Sequence, residues 1–161
     1  MKIIRSAILL GGLSCIAMLS VSVATAFAQS LTEQAECATQ ARATAQEDNR
    51  NWGLENRKVS LNDRTISFDY QSHYNTKIKR CLILTTRLSI SANNISTSTS
   101  KNLYDAFERR NYGFYLLVSE RDKLAYLDRV TMCQLIPNYG QTKECKTEGE
   151  FDAFVAEYME Q

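Results

Sequence analysis

Residues 65 to 90 read TISFDYQSHYNTKIKRCLILTTRLSI, and the fold turns on how this stretch is divided. In its first part Ile66, Phe68 and Tyr70 alternate with Ser67, Asp69 and Gln71. A period of two is the signature of a strand with one buried face. The run from Ile78 to Ile90 is different, because Cys81-Leu82-Ile83-Leu84 is apolar at every position. A strand buried on both faces is a central strand. The stretch therefore predicts two strands, the second of them central, with His73 and Cys81 separated by a turn or by eight residues of extended chain.

Upstream, residues 31 to 48 (LTEQAECATQARATAQED) are rich in Ala, Glu and Gln, which are good helix formers. Leu31, Ala35, Ala38 and Ala45 lie close to one stripe, a thin apolar face that needs outside help to dock. Residues 49 to 58 read as a loop. Downstream, residues 91 to 100 (SANNISTSTS) have a loop composition, with an acceptor sequon at Asn94-Ile95-Ser96. Residues 101 to 119 fit a short helix or a hairpin, and the hairpin is preferred, with Arg110 to Gly113 as its turn. A further strand runs from Leu124 to Ile136. Pro137-Asn-Tyr-Gly140 is a turn signal. At the end, Thr147 and Glu150 form a capping box, and Phe151, Phe154, Val155 and Tyr158 line one face of a closing helix. The predicted fold class is α+β: an N-terminal helix, an antiparallel sheet of four to six strands, a C-terminal helix and two disulfides. No internal repeat is visible.

The first 28 residues are read apart from this domain. Lys2 and Arg5 precede a long uncharged apolar run that closes on Ala26-Phe27-Ala28, the small-residue pattern of a cleaved export signal. An uncleaved anchor and a lipoprotein acylated at Cys15 are the weaker readings. The expectation is a signal peptide over 1–28 and one domain over 29–161, exported to the periplasm or secreted. The signal removes two basic residues and no acidic one, so the formal net charge of +1 becomes −1. Such a chain gives no electrostatic argument for nucleic acid or, once the signal is gone, for a membrane. The clusters Lys77-Lys79-Arg80 and Arg109-Arg110 are too small to change that.

Four cysteines remain: Cys37, Cys81, Cys133 and Cys145. An even count in an exported chain reads as two disulfides. If Asn138 to Gly140 form a hairpin loop, pairs across it have numbers summing to 278, and Cys133 then faces Cys145 at bridging distance. That leaves Cys37 with Cys81, tying the thin helix to the central strand.

The segments Ser72-His73-Tyr74-Asn75-x-Lys77-x-x-x-Cys81 and Cys145-Lys146-x-x-x-Glu150-Phe151-Asp152 resemble a loose group of small exported proteobacterial proteins of unknown function. The resemblance covers most of the chain after the signal. It implies export and a single disulfide-bonded domain, and it carries no activity and no site.

Chemistry-bearing residues are sparse. His73 is the only histidine. A Cys81–His73 nucleophile requires a thiolate, which a disulfide removes. No G-x-S-x-G elbow, zinc or calcium spacing, or phosphate-binding glycine motif is present. The expectation is therefore no catalytic, cofactor-binding or metal residue, and no cofactor. His73, Tyr74 and Asn75 form a possible interaction patch, as do Tyr112, Tyr115, Tyr126 and Tyr139 near turns. The function expected is a non-enzymatic exported domain binding a protein or small envelope ligand. The alternative is a carboxylate-dependent hydrolase of envelope or glycan material, with Asp69, Asp105 and Glu108 as candidate acids. A third reading is an envelope protein with no defined ligand.

Overall fold

A computed structural model describes residues 16–51, 58–61, 64–92, 95–122, 125–138 and 140–160. The chain divides into two compact units, Met1–Glu33 and Gln34–Gln161. In the first, the described residues are helical. They begin helix α1, Ile16–Asn51, whose remainder belongs to the second unit.

The second unit is built on one antiparallel meander. Its strands are β1 (Lys58–Leu61), β2 (Arg64–Asn75), β3 (Arg80–Ser91), β4 (Ser96–Asp105), β5 (Asn111–Asp122), β6 (Ala125–Asn138) and β7 (Gln141–Glu144), and they lie side by side in chain order. Five strands are 10 to 14 residues long, and a four-residue strand closes each edge. Helix α2 (Glu148–Met159) follows. The α+β architecture and both disulfides are as the sequence implied.

The sheet has an apolar cluster on each face, because β3 contributes to both. Cys81 and Ile83 join Cys37, Ala41, Ala45, Phe68, Tyr104 and Ala106 on the α1 side. Leu82 joins Leu103, Tyr112, Tyr115, Leu135, Phe151, Phe154 and Val155 on the α2 side. Ile66 and Tyr70 pack against the α1 cluster with Phe68, the face that their alternation predicted.

The docking face of α1 differs from the expected stripe. Leu31, Ala35 and Ala38 are exposed, and the buried residues are Cys37, Ala41, Thr44 and Ala45. Alanine recurs all round this helix, so its spacing selects no face. The Cys37–Cys81 bond, with Cα atoms 5.2 Å apart, sets the rotation instead. One turn further along, Gln40 Nε2 and Thr44 Oγ1 donate to the Ala106 carbonyl at 3.2 and 3.0 Å.

Half of the serine- and threonine-rich stretch is not loop. Ser96 to Ser100 form the first half of β4, paired to β3 and β5. Two-sided pairing satisfies the backbone and overrides a loop-like composition. The hairpin preferred over 101–119 is present, but its turn lies at residues 106–110 and Gly113 lies inside β5. A Cβ on Gly113 would meet Phe151 Cε2 at 3.1 Å, so this glycine lets α2 approach the sheet. A bulge between Leu103 and Tyr104 gives β5 one extra residue there.

The Cys133–Cys145 bond has Cα atoms 5.0 Å apart. Gln134 faces Glu144 and Leu135 faces Lys143, as the expected register requires, but Asn138 faces Gln141. The connection is thus one residue tighter than assumed. A bulge at Ile136-Pro137 restores the register, and proline is tolerated at such a position. Gly140, at φ 79°, turns the chain.

The turns β2–β3 and β4–β5 are the same device used twice. Asn75 Oδ1 accepts from the Lys77 and Ile78 amides, both at 3.1 Å. Asp105 Oδ1 accepts from the Phe107 and Glu108 amides, both at 2.8 Å. Each turn then carries a basic residue in the left-handed region, Lys79 at φ 53° and Arg109 at φ 58°. The shared pattern Tyr-Asn/Asp-x-x-x-Lys/Arg-Arg, at 74–80 and 104–110, is a short repeat, contrary to the expectation of none.

Helix α2 begins with the predicted cap. Thr147 Oγ1 accepts from the Glu150 amide at 3.2 Å. Glu150 Oε2 reaches back to the Lys146 amide at 2.9 Å, one residue earlier than the usual reciprocal bond. Replacing Thr147 with Ala is expected to cost about 1 kcal/mol, read as a shift of the urea midpoint at constant slope. Lys101 on β4 adds ion pairs to Asp152 at 2.7 Å and Glu148 at 2.8 Å.

Candidate functional site: a polar cleft beside α1

The three residues of the proposed patch do not share a surface. His73 lies opposite Leu82 and Tyr74 opposite Cys81, so they belong to opposite faces of the sheet. Tyr74 packs against the α1 cluster. Asn75 is buried and donates Nδ2–H to the Tyr158 carbonyl at 2.8 Å. Cys81 is bonded to Cys37 and faces away from His73. Tyr112 and Tyr115 are core residues under α2, while the Tyr126 side chain and Tyr139 lie outside the described residues.

Of the three candidate acids, Asp105 and Glu108 share the Arg80 guanidinium while Asp69 stands apart. Asp69 faces Thr86 and Asp105 faces Leu82, four register positions apart, or roughly 13 Å along the strand. Asp105 is buried and spends Oδ1 on its turn. Glu108 pairs with Arg80, whose Nη1 is 3.7 Å from Asp105 Oδ2. Among the described residues no group of three or more His, Cys, Asp or Glu side chains is placed to hold a metal ion.

A cleft of about 330 Å³ opens instead on the α1 face of the sheet, within the size range of small-ligand sites. Its floor is a grid set by strand register. Thr85, Asn102 and Phe114 form one row across β3, β4 and β5, and Arg87, Ser100 and Leu116 form the next row outward. All but Leu116 line the cleft, with Asp48, Tyr104 and Arg109 as its wall.

The wall is held by a hydrogen-bonded group. The Tyr104 hydroxyl donates to Asp48 Oδ2. Arg109 donates to Asp48 Oδ1 at 2.7 Å and to Glu47 Oε2 at 2.6 Å. Its guanidinium also stands 6.0 Å from the Tyr104 ring centre. Burial, the bond to Asp48 and the charge of Asp48 raise the Tyr104 phenol well above its ordinary value, against the pull of Arg109 and Arg87.

On the floor, Arg87 lies 6.0 Å from the Phe68 ring centre. Burial lowers its pKa, with Asp48 and Tyr104 opposing, yet a guanidinium stays protonated. Thr85 Oγ1 donates to the Asn102 carbonyl at 3.5 Å. The buried Asn102 Oδ1 accepts no hydrogen bond among the described residues. Leaving such an acceptor unmatched costs about 1–3 kcal/mol. The wall and floor together present two guanidiniums, one carboxylate, one amide, three hydroxyls and two aromatic rings.

The raised Tyr104 phenol has a pH consequence. Below the ordinary phenol value, near pH 10, both folded and unfolded chains carry neutral tyrosine and the contribution is intact. As pH rises past it, the unfolded chain ionises while the folded one resists, so stability falls. Urea midpoints from about pH 9 to 11 are expected to drop more steeply for the native chain than for Tyr104→Phe. Parallel curves would contradict the assignment.

No protein-family model matches the chain, and neither a curated protein nor a solved structure is detectably similar to it. Among the described residues, no helix is long and apolar enough to cross a membrane.

Proposed function

We propose that the chain is an exported binding domain and that the cleft beside α1 holds a small envelope ligand. The observation that carries this reading is the buried, unmatched Asn102 acceptor set among polar side chains from β3, β4, α1 and the β4–β5 turn. Native structures match the great majority of such groups. A ligand that donates to Asn102 would remove the mismatch. The fixed wall of Asp48, Tyr104 and Arg109 would add preorganisation, which lowers the cost of binding.

Export is supported by the apolar leader and by two disulfides, which persist in oxidising compartments. N-terminal sequencing of protein from its native compartment is expected to begin at Gln29. An intact leader would remove this part of the reading. For the cleft, the test is a thermal-shift panel of neutral sugars, sugar acids, amino acids and short peptides. At least one class is expected to raise the melting temperature of the native chain and not of Asn102→Leu. Silence across the panel would overturn the assignment. Release of a smaller product from a bound compound would favour the carboxylate-dependent hydrolase instead.

A further inference from the structure

We propose that the cleft takes a neutral polyhydroxy ligand, a single pyranose sugar with no charged group. This rests on the reading of the cleft as a binding site and goes further by naming its ligand class.

The charges around the cleft cancel. The guanidiniums of Arg87 and Arg109 stand against the carboxylates of Asp48 and Glu47. Arg109 reaches both carboxylates, and Asp48 also accepts from the Tyr104 hydroxyl. A charged ligand would upset this balance. An anion would enter beside Asp48, and a cation beside two guanidiniums. Either would leave its water shell with no net opposite charge to meet it. Charge therefore selects no ion, and recognition falls to the neutral groups.

Those groups ask for donors. Asn102 Oδ1 is buried and accepts no hydrogen bond among the described residues. The Tyr104 hydroxyl commits its hydrogen to Asp48, which leaves its oxygen able only to accept. Burial and Asp48 hold this phenol in its protonated form. Thr85 and Ser100 add hydroxyls, which donate or accept. A sugar hydroxyl answers both kinds of group, because it donates and accepts at once.

Strand register sets these groups on a lattice. Thr85 faces Asn102 and Arg87 faces Ser100 across the ladder, with Cβ atoms about 5 Å apart. Successive rows lie roughly 7 Å apart along the strands. A pyranose carries hydroxyls on all sides of a compact ring, so one ligand reaches more than one row. An extended peptide presents its N–H groups along its own line instead. Phe114 faces Asn102 from β5 and lines the same cleft, offering a ring against which the C–H face of a pyranose packs. The volume, about 330 Å³, is at the small end of ligand sites and fits one sugar unit.

The test is titration calorimetry on the oxidised native chain. The probes are D-glucose and D-galactose, the acids D-glucuronate and D-galacturonate, and the monodeoxy forms of the sugar that binds. At least one neutral sugar is expected to bind below about 10 mM, and its acid at least about tenfold more weakly. Affinity for the sugar should stay within about twofold from about 20 to about 500 mM salt, since no ion pair forms. One deoxy position should cost about ten- to a hundredfold in the native chain and less than about threefold in Asn102→Leu, because the donor lost there is the one that Asn102 receives. Circular dichroism establishes that the variant is folded.

An acid that binds as tightly as its neutral partner, an affinity that falls steeply with salt, or a deoxy profile unchanged in Asn102→Leu overturns the inference. So does failure of both neutral sugars to bind up to about 10 mM. If sugar acids, amino acids or short peptides bind through Asn102 instead, the binding-site reading stands while this inference falls. If no class binds, both fall.

Discussion

Replacing Cys37 and Cys81 together with Ala is expected to lower folding stability by about 4 kcal/mol. The two are 44 residues apart in the chain, and the chain-entropy argument makes a long loop costly to leave open. Removing Cys133–Cys145, with a separation of 12, is expected to cost about 3 kcal/mol by the same argument. The difference in consequence is larger than the difference in energy. Around the hairpin disulfide the ladder still pairs β6 with β7. Around Cys37 the helix presents Ala41, Thr44 and Ala45 to the sheet, and short side chains bury little apolar area. Without the bond, α1 would be held by the Ala106 carbonyl and by the pairs of Glu47 and Asp48 with Arg109 and Tyr104.

Amide exchange in residues 34–51 should therefore quicken in the double variant while β5 and β6 stay protected. Since Asp48 forms a wall of the cleft, ligand binding should weaken with it. Urea unfolding and exchange on the same sample test both statements. A loss no greater than for the Cys133→Ala, Cys145→Ala pair, with α1 still protected, would contradict the argument.

Phe151→Ala is the second large effect, expected at about 3–5 kcal/mol. The side chain has no solvent exposure, its ring centre is 5.8 Å from that of Tyr115, and its edge lies over Gly113. Helix α2 has 12 residues, too few to persist without packing. Loss of its central anchor should thus release Asn75 and Tyr158 from each other as well. Phe151→Leu should cost less. Adding Gly113→Ala to the leucine variant should be cheaper than adding it to the native chain, where the new Cβ would press on the ring. Equal costs in the two backgrounds, or a loss below about 1 kcal/mol for Phe151→Ala, would show that the helix docks by other contacts.

How much of this was legible in the sequence differs from element to element. The alternation of Ile66, Phe68 and Tyr70, the two-sided run at Cys81 to Leu84 and the cap at Thr147 are local patterns, and the folded chain follows them. The hairpin disulfide was legible because register links distant positions through one turn, and the bulge at Pro137 offsets the misjudged loop. The face of α1 was not legible, because alanine occupies several faces and periodicity then carries no information. The cleft was hidden for another reason. Thr85, Arg87, Ser100 and Asn102 become neighbours only through the β3–β4 register, and half of the strand that fixes this register has the composition of a loop. Had β4 been placed, the same hairpin arithmetic that paired the cysteines would have brought these four together.

The repeated turn ends in a division of labour. Both copies fold their loop with one side-chain oxygen, so either Asn or Asp could close either turn. The second atom is what differs. At Asn75 it is an N–H that donates to the Tyr158 carbonyl, a contact that a carboxylate would turn into repulsion. At Asp105 it is a second oxygen, 3.7 Å from the Arg80 guanidinium, where an amide could turn its N–H₂ toward a cation. A single atom thus serves as an address label, telling two near-identical hairpins which neighbour each belongs to.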